Sequence, residues 1–262
     1  MFFVDAHVHL HGCFSPQRFL DAAAANFEQA AAHLGLPPHT PGMLLFTQTT
    51  DRDAFGGLRP GALGRWRLSA TAESISLAAE RAEAPLLILT AGRQIATAEG
   101  LELLALGAAG PFEDGQPIDH TIDEVRRRGG LPVLPWGFGK WWFGRGRVVR
   151  RIIHDRQRFP LLFLGDNAGR PTIAPRPSLL TEGEHRCRSV LPGTDPLPLP
   201  AEEAKVGRLA FCMQHTLDKE RPFEGLKQAL TAHQISPPVV GHHERTLDFL
   251  HRQIALRLCR SP

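Results

Sequence analysis

Short apolar runs alternate with helical patterns along most of the chain. The runs are mostly continuous rather than interrupted by polar residues, which is typical of strands covered on both faces. They predict seven strands: Phe2–Leu10, Met43–Thr47, Leu86–Thr90, Leu101–Leu106, Leu131–Leu134, Leu161–Leu164 and Val190–Leu191.

Helical patterns occupy many of the intervals between these runs. One helix is predicted from Ser15 to Gly35, and another from the capping-box pattern at Thr121 to Gly129. Three more are predicted: Arg147–Arg158, a helix opened by Pro200-Ala201-Glu202-Glu203, and one from the spacing of Leu247, Leu250, Ile254 and Leu258. Two stretches without either pattern predict loops: Thr50–Gly64 and Asn167–Glu184.

Strand–helix alternation over residues 1–262 favours one α/β domain with a mainly parallel sheet. A chain of 262 residues with 42% hydrophobic residues needs neither a disulfide nor a metal to fold. The net charge of +3 is too small to indicate nucleic acid as the main partner. The sequence contains neither a membrane-length apolar run nor a targeting pattern, so we expect a cytoplasmic protein.

The N-terminal segment Asp5-Ala6-His7-Val8-His9-Leu10-His11-Gly12 contains the strongest candidate chemistry. Side chains two residues apart on a strand point to the same side, so His7 and His9 would lie together. Neutral imidazoles are ligands for zinc and similar ions. Asp5, expected on the same face, would be a further ligand or would orient an imidazole. The alternative is a pair of histidines that only form hydrogen bonds at the end of a strand.

This segment resembles the first motif of two metal-hydrolase groups, the polymerase and histidinol phosphatase (PHP) superfamily and the amidohydrolase superfamily. Later segments, in matching order as far as about residue 208, favour the PHP superfamily: Leu89–Ile95 with Glu102–Gly107, Glu124–Pro135, and Gly193–Leu197. The resemblance implies a distorted TIM-like (β/α)7 barrel with metals and substrate at the carboxyl ends of its strands. It also implies hydrolysis of phosphate esters by a cluster of metal ions.

The chain departs from the family pattern at four positions that usually hold metal ligands. Gln94 stands where the family has a bridging Glu, and an amide cannot supply the negative charge that bridges two cations. Leu104, Pro135 and Leu197 stand where the family has His. A multinuclear site of the usual kind is therefore not expected.

His7, His9 and Asp195 remain from the pattern and would hold one divalent ion of zinc, iron or manganese. Such an ion lowers the pKa of bound water from ~15.7 toward ~7. Asp195 would alternatively act as general base, or only order a Gly-Thr-Asp-Pro turn. Four residues are candidates for a fourth ligand: His39, Asp166, His120 and His154.

The segment Pro135–Arg147 follows a predicted strand and combines aromatic side chains, glycines and cations. Trp136 and Trp141 offer flat surfaces for stacking, and Lys140 and Arg145 suit an anion. These four are the predicted substrate-binding residues. The alternative is an aromatic plug or a contact with a second subunit.

Arg93 and Arg170, together with Lys140, would form a cationic rim that attracts an anionic substrate. We predict that Arg93 and Arg170, like Lys140, stabilise developing charge, and that Asp195 acts in catalysis as a metal ligand or general base. The first hypothesis is thus a metal-dependent hydrolase of the PHP type that acts on a small phosphorylated or otherwise anionic molecule. Two alternatives remain: a catalytically degenerate barrel that binds a ligand or partner, and an amidohydrolase-type enzyme that cuts a C–N bond.

Overall fold

Strands dominate the centre of the molecule, and the computed structural model describes residues 1–49, 53–232 and 235–244. The strands are β1 (Phe2–Val8), β2 (Gly42–Phe46), β3 (Gly61–Leu63), β4 (Trp66–Ala70), β5 (Ser76–Glu80), β6 (Leu87–Thr90), β7 (Gly92–Ala96), β8 (Glu102–Leu106), β9 (Leu131–Pro135), β10 (Phe163–Asn167), β11 (Val190–Gly193), β12 (Leu209–Met213) and β13 (Val239–Gly241). The helices are α1 (Pro16–His33), α2 (Ala54–Gly57), α3 (Ile118–Arg127), α4 (Phe143–His154), α5 (Ser178–His185) and α6 (Pro222–Ala232), with a 3-10 helix over Pro200–Lys205.

The strands form two mixed sheets. One has eight strands in the order β13-β12-β1-β2-β6-β5-β4-β3, and the other has five in the order β11-β10-β9-β8-β7. The pairings β1–β2, β2–β6, β9–β10 and β10–β11 are parallel. All other strand pairings in the described ranges are antiparallel. The predicted TIM-like (β/α)7 barrel with a mainly parallel sheet is therefore wrong, because the described part of the chain forms two sheets and no closed barrel.

The chain does not form the expected barrel because several strands follow one another without a helix between them. In β4, Trp66 and Leu68 are buried while Arg67 is exposed, which is the pattern of an antiparallel strand with one face in solvent. β3, β4 and β5 pair in succession, and β7 and β8 form a second hairpin. The predicted loop Thr50–Gly64 is also wrong in its described part, since it contains α2 and β3.

Three apolar cores arrange the molecule in layers. The first core packs α1, through residues such as Phe27, against the eight-stranded sheet. The second packs the five-stranded sheet against α3, α4 and α5, with Ile152 among its members. The third contains residues of both sheets, for example Val4 of β1 and Val133 of β9. The two sheets therefore share a core, and these helices cover the outside.

Each of the seven predicted strands overlaps an observed one, whereas several boundaries differ. β10 continues to Asn167, and α5 occupies part of the predicted loop Asn167–Glu184. α3 begins at Ile118 rather than Thr121, and the Thr121 hydroxyl donates to the carbonyl of Pro117 at 3.0 Å, so Thr121 lies inside the first turn and does not cap the helix. The helix predicted around Leu247–Leu258 lies outside the described residues. No helix in the described ranges has the length and apolar character needed to cross a membrane.

The edges of the two sheets approach each other at two points. The N–H of Asp195, after β11, donates to the carbonyl of His7 at 2.8 Å. Gln48, after β2, forms an isolated parallel bridge with Arg93 of β7. The first link brings the carboxyl ends of β1 and β11 together, with β10 paired beside β11, and ligand sites commonly lie at such strand ends in α/β proteins.

Candidate metal centre

A β-bulge near the end of β1 sets the direction of its histidine side chains. Asp5 and Val8 both pair with β2, but three steps along β1 match only two along β2. An extra residue reverses the side-chain alternation of a strand. His7 and His9 therefore lie on the face opposite to Asp5, and the expectation that Asp5 shares their face is wrong.

Asp5 holds the backbone around the histidines. Its buried carboxylate accepts hydrogen bonds from the N–H groups of His7 at 3.2 Å, Thr194 at 2.8 Å and Gly207 at 2.9 Å, and from the Thr194 hydroxyl. Burial raises the pKa of Asp5 to about 6, although the hydrogen bonds oppose this. Asp5 thus ties the strand that carries His7 to the residue that precedes Asp195.

Asp195 reaches the histidines because β11 ends directly against β1. A Cβ atom at Gly193 would lie 2.4 Å from the His7 nitrogen, so only glycine fits this approach. Asp195 itself adopts a left-handed backbone conformation with φ of 49°, which is uncommon for a residue other than glycine. Asn167 donates to Asp195 Oδ2 at 3.1 Å, which leaves Oδ1 turned towards the histidines.

Four side-chain atoms crowd together at the centre of the site. His7 Nε2 lies 3.1 Å from His9 Nε2, 3.2 Å from Gln94 Oε1 and 3.4 Å from Asp195 Oδ1. His9 Nε2 lies 3.5 Å from the same carboxylate oxygen. His7, His9 and Asp195 form a group whose ligand atoms all lie within 4.8 Å of one another and that could hold a metal ion.

Proton counting supports this interpretation. Each neutral imidazole has one N–H, and a hydrogen bond across the 3.1 Å contact between His7 Nε2 and His9 Nε2 requires one of these two atoms to carry no proton, which leaves one proton for this cluster. The Gln94 carbonyl oxygen and the Asp195 carboxylate supply none. A cation placed among these atoms would satisfy all their lone pairs, and two imidazoles with a carboxylate form a donor set suited to zinc, iron or manganese. The residues present therefore fit a divalent ion.

The protonation states also suit metal binding. Burial lowers the pKa of His7 below 6.5, although the nearby Asp195 acts in the opposite direction, so this imidazole is neutral at physiological pH. Burial alone would raise the pKa of Asp195, but a hydrogen bond from His9 and the charge of Lys140 act in the opposite direction and keep it below its ordinary value. The site thus presents a neutral imidazole and a carboxylate, which are the metal-binding forms of these groups.

A second ring of polar residues surrounds the group. Asn167 also donates to the carbonyl of Trp136 at 2.8 Å, which fixes the amide that holds Asp195. Glu102, the first residue of β8, forms an ion pair with Lys140, and the charges of the pair act on His7 and Asp195 respectively. Gln94 and Glu102 were not predicted as part of the site. For Gln94 the signal is its place in the family pattern, where a bridging Glu is usual. Glu102 lies on the same face of β8 as Leu104, the partner of Gln94, and only the observed register of the β7–β8 hairpin shows this.

The two predicted catalytic arginines have other partners. Arg93 pairs with Asp53 at 3.1 Å and donates to the carbonyl of Gly110 at 3.2 Å. Arg93 precedes Gln94 on β7, so the two side chains leave opposite faces of the strand. Arg170 is buried against Asp166, with Nη2 to Oδ2 at 2.9 Å, and the same Nη2 lies 2.9 Å from His243 Nε2.

The predicted substrate-binding segment divides into buried and exposed side chains. Trp136 and Trp141 belong to the core beneath the five-stranded sheet. Arg145 donates to the carbonyls of Gly100 at 3.3 Å and Gly139 at 3.0 Å, which fastens the segment to a neighbouring turn. Of the four predicted residues, Lys140 is the one whose charge lowers the pKa of Asp195, a member of the His7–His9–Asp195 group.

The four candidates for a fourth ligand also lie elsewhere. His39 pairs with Glu28, His154 pairs with Glu182, Asp166 pairs with Arg170, and His120 is exposed on α3. None of them belongs to the group found among the described residues. Gln94 Oε1, by contrast, is already next to His7.

Comparison with known proteins gives a fold relative but no family. No family model and no curated protein matches the sequence. The crystal structure of PsfC from Pseudomonas syringae PB-5123 is similar, with a TM-score of 0.54 and 15% sequence identity over 98% of this chain and 97% of that chain. At this identity the likeness shows the fold alone. Membership of the PHP or amidohydrolase superfamily stays a prediction.

Proposed function

We propose that the protein is a metal-dependent hydrolase that holds one divalent ion at His7, His9 and Asp195 and acts on a small anionic molecule. The observation that carries the proposal is the convergence of these three side chains from two different sheets. The group lies at the carboxyl ends of strands, and it contains more acceptors than protons to share among them.

The donor set supports zinc, iron or manganese, with positions left open for water or substrate. A single ion is favoured because the group contains only one carboxylate and Gln94 is neutral. Two other carboxylates have partners of their own: Asp5 accepts hydrogen bonds from Thr194 and Gly207, and Glu102 is paired with Lys140. When bound, a divalent ion supplies Lewis acidity, which polarises a substrate oxygen and lowers the pKa of water.

The chain's own residues would bind and orient the substrate. Lys140 places a positive charge close enough to lower the pKa of Asp195, so the same charge can attract an anionic substrate group. Its ion pair with Glu102 restrains the ammonium at the rim of the site. Asn167 holds Asp195 with one oxygen turned inward. The proposal gives Arg93 and Arg170 no catalytic role, since both bind carboxylates elsewhere.

Metal content of protein purified without chelator or metal-affinity resin tests the proposal. About one zinc, iron or manganese per chain is expected, and the double variant His7→Ala/His9→Ala should lose it. His39→Ala is the matched control, because His39 is an exposed histidine paired with Glu28, and it should keep the ion. Absence of metal even after supplementation would refute the metal site.

The hydrolase part requires a separate assay. Phosphate esters and amides should be offered to the metal-loaded protein and to the His7→Ala/His9→Ala variant. Hydrolysis of a phosphate ester that is lost in the variant is the expected result. Cleavage of C–N bonds alone would favour the amidohydrolase-type alternative. Metal binding without any turnover would favour a binding protein and contradict the proposed hydrolase.

A further inference from the structure

The third histidine of the N-terminal segment, His11, touches both of the segments that carry the metal ligands. It follows β1, and its partly buried ring stacks on the ring of His9, with the centroids 5.4 Å apart and 25° between the ring planes. Its Nε2 lies 2.8 Å from the main-chain oxygen of Pro196, the residue after Asp195. His11 therefore contacts one ligand directly and holds the chain next to another.

The hydrogen bond between His11 and Pro196 has a defined direction. A carbonyl oxygen only accepts, so the Nε2 atom of His11 carries a proton and donates it. The bond restrains the chain directly after Asp195, whose backbone is in the left-handed region with φ of 49°. A residue that precedes proline prefers extended backbone, so Asp195 departs from the preference of its position as well. His11 thus helps to hold an unusual turn that carries a metal ligand.

Contacts with the first apolar core keep the His11 ring in place. The N–H of Phe14 donates to the carbonyl of His11 at 2.9 Å and closes a turn. The buried ring of Phe14 packs edge to face against that of His11, with the centroids 5.2 Å apart. Phe14 in turn contacts Phe19 of α1, and both belong to the first core. A row of rings therefore extends from this core to His9.

We propose that His11 is a positioning residue of the metal site, which fixes the ring of His9 and the turn that carries Asp195 relative to each other. The inference rests on the proposed function and adds the group that aligns ligands from two sheets. Asp5 restrains only backbone, whereas His11 acts on a ligand ring and on the residue after Asp195. Residues that orient metal ligands typically change metal affinity 10–100-fold when they are replaced.

Titration of the purified protein with zinc against a competing chelator tests the proposal. His11→Ala removes both contacts and should weaken zinc binding by roughly 10–100-fold. His11→Gln keeps an amide N–H that can donate to Pro196, and His11→Phe keeps a ring that can stack on His9. Each of these two variants should therefore have a zinc affinity between those of His11→Ala and the unmodified protein.

A control variant separates positioning from a loss of stability. Phe27 is buried in the same core but lies outside the row of rings that reaches His11. Phe27→Leu should lower the free energy of unfolding in urea and leave zinc affinity within about twofold. Cobalt(II) bound in place of zinc adds a spectroscopic readout, because its visible absorption depends on the geometry of its ligands. The spectrum should change in His11→Ala and stay the same in Phe27→Leu.

The outcomes distinguish this inference from the proposed function. If zinc affinity falls no further in His11→Ala than in Phe27→Leu, the positioning role is overturned while the metal site stands. If the unmodified protein binds no zinc, the proposed metal site fails and this inference fails with it. Circular dichroism shows which variants fold. Should His11→Ala not fold, unchanged zinc affinity in both His11→Gln and His11→Phe would overturn the positioning role instead.

Discussion

Substitution of Gly193 tests whether the contact between β1 and β11 positions the metal group. In Gly193→Ala the new Cβ would lie 2.4 Å from the His7 nitrogen and 2.5 Å from His7 Cβ. Both neighbours are rigid parts of a buried strand, so the strands must separate. Overpacking of this kind costs about 1–3 kcal/mol in the free energy of unfolding. The displacement also moves His7 away from Asp195, so zinc affinity should fall by roughly 10–100-fold.

Urea unfolding of the apoprotein measures the first effect, and titration with zinc against a competing chelator measures the second. Gly57→Ala is the control, because no atom lies within 4 Å of a Cβ there, and it should change stability by less than about 0.5 kcal/mol. The reasoning would be refuted if Gly193→Ala matched the unmodified protein in both measurements. Loss of stability with unchanged zinc affinity would show that the contact is structural only.

Three other predictions concern stability and pH. Arg188 is buried and donates to main-chain carbonyls at the end of α4, including Ile152 at 3.0 Å, so Arg188→Met should lower the free energy of unfolding by roughly 2–4 kcal/mol in urea. Burial would raise the pKa of Asp166, but His243 and Arg170 lower it below 3.8. Its contribution is therefore present above about pH 4 and lost as pH falls further, so the stability difference from Asp166→Asn, measured by unfolding at several pH values, should shrink in acid. Because burial lowers the pKa of His7, bound zinc should be retained below pH 6.5, as equilibrium dialysis can measure; release already at pH 7 would contradict the assignment.

The sequence predicts the buried strands well because continuous apolar runs have few other interpretations. Strands such as β4 are harder, since residues with one exposed face mix polar and apolar side chains in a short segment. The hairpins of β3–β5 and β7–β8 therefore went unpredicted, and with them the two-sheet arrangement. A pattern of apolar runs indicates strands, but it does not specify which neighbour each strand pairs with.

In the candidate site, too, local spacing could be predicted from the sequence, whereas contacts that depend on strand pairing could not. His7 and His9 follow from their spacing, whereas Asp5 was placed on the wrong face because a bulge cannot be read from the sequence. Gln94 stands out in the sequence only as a departure from a family pattern. Its contact with His7 depends on how β7 lies against the end of β1. The partner of Arg93, Asp53, is equally hidden because it comes from a distant segment of the chain, whereas Asp166 precedes Arg170 by one helical turn's spacing of i,i+4.

The joint between the two sheets has a mechanical consequence. His7 and His9 extend from the eight-stranded sheet, and Asp195 extends from the five-stranded sheet. An ion held among them would act as a cross-link, and free metal at 100 times its Kd would add about 2.7 kcal/mol to the stability of the fold. The coupling is reciprocal, so any ligand that shifts one sheet against the other must change metal affinity by the same free energy. Metal affinity would therefore report the position of one sheet relative to the other.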